Sequence, residues 1–129
     1  MAPRARPTSP HLEIYRFTLT MAMSIAHRIT GVANYAGTLL LVAWLGAAAL
    51  GEESFALVNG LFGSFVGQLV LFGYTWSLFH HMLGGLKHFV WDTGALLDPA
   101  GREVIVRWQV ALSIILTLGA WALFVWGRG

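Results

Sequence analysis

Polar and charged side chains thin out after Arg28, and three uncharged runs follow, at 29–51, 54–86 and 108–127. Each reaches the roughly 20 residues that a helix needs to cross the hydrocarbon of a bilayer. The pattern predicts an all-α membrane protein with three transmembrane helices, at about 21–50, 62–92 and 106–127. An arm of residues 1–20 precedes a transmembrane domain of 21–129. The second run is longer than one span requires. Asn59, Gly60, Gly63, Ser64 and Gly67 fall in its first part, so the first loop is expected to extend to about Leu61. Between the second and third helices, Thr93 to Arg102 carries Gly94, Pro99 and Gly101 and reads as a loop.

Composition narrows the class. The 129 residues are 57% hydrophobic and 11% charged, too apolar for an ordinary water-soluble domain. With no cysteine, disulfides, thiolate metal sites and a cysteine nucleophile are excluded, and histidine becomes the expected ligand for a borderline metal. Arg4, Arg6, Glu13 and Arg16 interrupt the first 20 residues, so no cleaved signal is expected. Basic residues also set the expected orientation. Arg4, Arg6, Arg16 and Arg28 flank the first span and Lys87, Arg102 and Arg107 the second loop, whereas the first loop has Glu52 and Glu53 and the far end only Arg128. The amino terminus and second loop are expected in the cytoplasm, and the carboxyl terminus on the other side. His27 and the His80–Asp92 segment then share one end of the bundle.

Ionisable groups inside a membrane are costly and usually serve a function. On the second helix, Tyr74, Ser77, His81, Gly85, His88 and Asp92 fall on one stripe, with His80 off it. Such a row belongs against another helix or a cofactor, with Gly84 and Gly85 removing bulk beside His81. Two readings stay open: close helix packing with histidines bonded to neighbouring helices, or room for a flat ligand. His81 precedes Asp92 by about 16 Å of helix, which places it near mid-membrane if Asp92 marks the interface. A haem held edge-on would suit this, with iron on His81 and propionates toward His27, Arg28, Lys87 and His88. The third helix has no histidine, His27 lies near the surface, and Met82 adjoins His81 on the same helix. A second axial ligand is therefore expected from another chain.

Ser24 and Arg28 are four apart on the first helix, with His27 beside them. A hydroxyl next to a fixed cation can hold a carbonyl oxygen and stabilise negative charge on it, as reduction of a quinone headgroup requires. The alternative is an interfacial arginine that snorkels to lipid phosphate.

Three blocks carry a family resemblance: Arg6-Pro7-Thr8-Ser9-Pro10-His11-Leu12, then Ser24-Ile25-Ala26-His27-Arg28-Ile29-Thr30-Gly31, then His81-x-x-x-Gly85-Leu86-Lys87-His88-x-x-x-Asp92-x-Gly94. Their order and spacing resemble the cytochrome b membrane anchor subunits of succinate dehydrogenase, respiratory complex II, over essentially the whole chain. Leu86-Lys87 stands where the family commonly has Ile-Arg, and Gly84 where many members have asparagine. The resemblance implies a haem b-binding anchor that pairs with a second three-helix subunit and docks a flavoprotein bearing FAD and an iron-sulfur subunit. It implies His81 as the axial ligand of the haem iron, with the other axial histidine from the companion anchor. It also implies Ser24 and Arg28 at the ubiquinone site, His27 and Arg28 near a propionate, and His88, Asp92, Gly84 and Gly85 as supporting groups. The basic, proline-punctuated arm would lie against the soluble subunits, or be drawn to anionic lipid. The implied location is a bacterial inner membrane rather than a mitochondrial one, with no nucleic-acid partner. The haem-bearing anchor of a fumarate reductase and a cofactor-free structural anchor are the competing functions.

Overall fold

The computed structural model describes residues 7–127. After a 3₁₀ turn at His11–Glu13 come four α-helices: α1 (Leu19–Leu50), α2 (Glu52–Gly63), α3 (Phe65–Asp92) and α4 (Pro99–Trp126). Two of them, α1 and α4, are long and apolar enough by themselves to cross a membrane. The α2–α3 pair meets the same measure only when taken together, bent by 79° at its break. Arg4, Arg6 and Arg128, which entered the orientation argument, lie outside the described residues.

The first expected loop is helical, and the second is shorter than expected, at 93–98. Residues 52–63 form α2, because Glu52 and Glu53 occupy the first turn, where the helix dipole favours anions. Phe55, Val58 and Phe62 recur at helical spacing and turn inward, and Trp44 Nε1 of α1 donates to Asn59 Oδ1 of α2 at 3.0 Å. Ser64 makes the bend. Its backbone is extended and its hydroxyl caps α3 by accepting from the Gly67 N–H at 3.1 Å. A side chain at Gly67 would collide with the Leu61 carbonyl, so that glycine permits the fold-back.

The third span begins at Pro99, not near 106. Asp98 caps it, its Oδ2 accepting from Gly101 N at 2.9 Å, and Pro99 occupies the first turn, where a missing N–H costs nothing. Arg102 and Arg107 therefore stand on the helix, and Arg107 pairs with Glu103 at 3.1 Å.

The packing is inverted relative to a water-soluble bundle. The most deeply buried large side chains are His80, Val106, Thr117 and Ser113, while leucines, valines, isoleucines and aromatics cover the outside. Without a hydrophobic drive between helices in lipid, small and hydrogen-bonding side chains make the contacts. Central α3 packs on both α1 and α4, which touch each other less. Against α1, Ser77 Oγ donates to Asn34 Oδ1 at 2.7 Å and lies 3.1 Å from the Thr30 carbonyl, and the Tyr74 ring lies over Gly37. Against α4, Trp121 Nε1 donates to Thr75 Oγ1 at 3.2 Å.

Candidate functional site

The histidines gather where the start of α1, the end of α3 and the start of α4 meet. His81 Nδ1 lies 3.1 Å from the His27 carbonyl and 3.4 Å from Thr30 Oγ1. A carbonyl only accepts, so this bond assigns the His81 proton to Nδ1. The Thr30 hydroxyl donates back to the Ala26 and His27 carbonyls at 2.9 and 3.0 Å, which leaves its oxygen as an acceptor toward the same N–H. Nε2 of His81 has no hydrogen-bond partner among the described residues and keeps a free lone pair.

His80 is arranged differently. Ser113 Oγ donates to the Val110 carbonyl at 2.8 Å and so accepts from His80 Nδ1 at 3.4 Å. Gln109 Nε2 then donates to His80 Nε2 at 3.1 Å and to the His80 carbonyl at 3.3 Å. With both ring nitrogens engaged and the side chain 1% exposed, His80 is a link between α3 and α4.

The two glycines beside His81 have different surroundings. A Cβ on Gly84 would strike His27 Nδ1 and approach Gln109 Nε2 to 3.1 Å, so that space is already filled by the His27 ring. Gly85 faces nothing within 4 Å and is open. The His27 ring stacks on His81 with centroids 4.0 Å apart and planes 5° from parallel, and His88 tilts against His27 at 5.6 Å. His27 Nδ1 is buried without a hydrogen-bond partner among the described residues. Gly31 lets α1 approach the His81 ring closely, since a Cβ there would stand 3.0 Å from Cε1.

Ser24 and Arg28 are exposed on α1, as are His88 and Asp92 at the end of α3. The structure thus brings His27, His81 and His88 together and leaves Ser24 and Arg28 on an outer surface one turn away. Lys87 is not at that surface. It is 4% exposed, turned toward α4, with its ammonium 4.7 Å from the centre of the Trp91 ring.

The family model for the succinate dehydrogenase/fumarate reductase transmembrane subunit matches residues 2–125. The chain belongs to this family. Among similar proteins, the succinate dehydrogenase cytochrome b556 subunit of Paracoccus denitrificans is 37% identical over 113 residues, covering 88% of this chain and 87% of the relative. The cytochrome b560 subunit of Reclinomonas americana is 31% identical over 124 residues, covering 92% and 86%. The mitochondrial cytochrome b560 subunit of Sus scrofa is 41% identical over 95 residues, 69% of this chain and 54% of the relative. Membership makes the chain a membrane subunit and fits its inverted packing. The contacts of Thr30, Gly31 and Asn34 with α3 were not assigned from sequence, although all three lie in or just beyond the second block. Their helical spacing, with a lone amide inside an apolar span, was the available clue. Gln109 offers the same clue on α4.

Proposed function

We propose that this chain anchors a succinate:quinone oxidoreductase in the membrane, holds haem b through His81 Nε2 and lines a ubiquinone-reduction site with Ser24 and Arg28. The observation that carries the haem reading is the contrast between the adjacent histidines. Both hold their proton on Nδ1, but Gln109 occupies Nε2 of His80 while Nε2 of His81 is free. A metal-binding imidazole typically donates its other N–H to a carbonyl, which fixes its tautomer and ring plane. His81 already has that arrangement through the His27 carbonyl.

The residues fit the group. Among the described residues no three His, Asp or Glu side chains, the clustered histidines included, are placed to hold one bare metal ion, and iron that brings porphyrin nitrogens of its own needs only a single imidazole from this chain. The open flank at Gly85 leaves space beside His81. Bound haem would supply one-electron storage between the soluble subunits and the quinone. The second axial ligand would come from a companion three-helix anchor, consistent with the exposed apolar faces of α1 and α3. A flavoprotein and an iron-sulfur subunit would carry succinate oxidation, so this chain performs no carbon chemistry by itself. In this reading α3 also spans the membrane, with the amino terminus and the 93–98 loop in the cytoplasm of a bacterium.

At the quinone site, the Ser24 hydroxyl donates to a carbonyl oxygen and Arg28 adds positive charge as electrons and protons arrive. Both face outward on α1, where a headgroup held between subunits meets them. His88 and Asp92 support this end from α3.

His81→Ala is expected to abolish the reduced b-type absorption of the assembled complex. An unchanged spectrum would exclude His81 as the ligand. Arg28→Leu is expected to lower succinate-to-quinone electron transfer at least tenfold while sparing succinate oxidation by a soluble acceptor. Equal loss of both activities would assign Arg28 to assembly instead.

A further inference from the structure

We propose that the groove between α3 and α4, at the end nearest the 93–98 loop, binds an acidic phospholipid, with its phosphate against Lys87 and Arg102 and an acyl chain between the helices. The groove has a volume of about 180 Å³, and its apolar walls include Leu86 and Val90 of α3 and Ile105 and Leu112 of α4. Lys87 and Gln109 supply its polar lining.

Lys87 as a whole is 4% exposed, and among the described residues its ammonium meets no carboxylate, only the Trp91 ring. Trp91 Nε1 is itself buried without an acceptor. Two neighbouring donors, one cationic, therefore lack an anionic partner. Burying a charge without a counter-charge is expensive, and a ring quadrupole offsets only part of the cost. The unpaired Gln109 Oε1 does not neutralise an ammonium. This chain's nearby carboxylates are otherwise placed: Asp98 caps α4, Glu103 pairs with Arg107, and Asp92 is exposed.

Arg102 adds the second cation. It precedes Ile105 by three positions and so lies on the groove side of α4, one turn nearer the loop. It is exposed, and its side chain has no hydrogen-bond or ion-pair partner among the described residues. Lys87 lies about one and a half turns before the end of α3. Two cations near the membrane surface, above an apolar groove, match a phosphodiester carrying acyl chains. Lys87 faces α4 whereas His81 faces α1, so this groove adjoins the histidine cluster through Gln109 but does not rest on haem binding.

The test uses the purified whole complex, delipidated in detergent and returned to phosphatidylglycerol or phosphatidylcholine, with bound lipid measured by native mass spectrometry. Wild type is expected to retain phosphatidylglycerol preferentially. Lys87→Met and Arg102→Gln should each weaken retention about fivefold, the loss expected for one cation near a lipid surface. Leu86→Trp should lower retention by filling the groove without changing charge. If Lys87→Met does not assemble, Arg102→Gln and Leu86→Trp, both at exposed positions, decide the matter. Equal retention of the two lipids, unchanged retention in those variants, or equal competition by inorganic phosphate would each overturn the proposal.

Discussion

His80 Nε2 accepts from Gln109, while the Nε2 of its neighbour His81 is unshared, and this difference predicts opposite phenotypes. His80→Ala removes the ring bonds to Gln109 and Ser113, which keep only their backbone partners, at a cost of about 1–3 kcal/mol. The temperature of thermal inactivation of the complex should fall accordingly while the haem spectrum persists. Haem loss from a fully assembled His80→Ala complex would transfer the ligand role to His80. Gly84 and Gly85 make a second contrast. Gly84→Ala drives a methyl into the His27 ring and should destabilise the complex by about 1–3 kcal/mol, as overpacking does. Gly85→Ala meets no neighbouring element among the described residues and improves helix propensity. Its expected effect is reduced haem content in a normally stable complex, because the added methyl enters the space assigned to the ligand. Full haem content in that variant would place the porphyrin elsewhere.

At the level of elements, long apolar runs announced themselves and their ends did not. α1 begins two residues before the expected position, where Thr18 caps it. Asp98-Pro99-Ala100-Gly101 was read as a loop because proline and glycine usually break helices. Here the same residues start one, since proline in a first turn forfeits no hydrogen bond. Asp98→Ala should therefore cost about 1 kcal/mol by loss of the cap, measured as earlier thermal unfolding of the complex. No change would mean that tertiary packing alone holds the start of α4. The glycines, asparagine and serine of 59–67 were similarly read as loop, although Ser64 and Gly67 are needed only at the bend between two helices. The Tyr74–Ser77–His81 part of the stripe was legible from periodicity because α3 is regular there, and those three residues do meet α1. The burial of Lys87 was not legible, because a lysine near a helix end normally reaches for water. Its orientation depends on where α4 begins.

On the scale of the whole molecule, the described residues hold two helices that qualify individually as spans and a bent pair that qualifies only together, so the topology turns on α3. α3 lacks the apolar density of its neighbours because it carries the histidines and, at its end, Lys87 and Asp92. Its length of 28 residues, about 42 Å, still exceeds the roughly 30 Å hydrocarbon core. Its polar groups are also largely answered inside the bundle, His80 by Gln109 and Ser113 and Ser77 by Asn34, so crossing does not expose them to lipid. Three crossings place Glu52 and Ala95 on opposite sides of the membrane, whereas a re-entrant α2–α3 pair would return them to the same side. The absence of native cysteine allows a direct measurement. Glu52→Cys in intact cells should react with a membrane-impermeant maleimide that crosses only the outer membrane, and Ala95→Cys should react only after the inner membrane is opened. Labelling of both in intact cells would mean that α3 does not cross. The reverse pattern would keep three spans but invert the orientation, moving Arg28, His88 and Asp92 away from the side on which cytoplasmic electron donors dock.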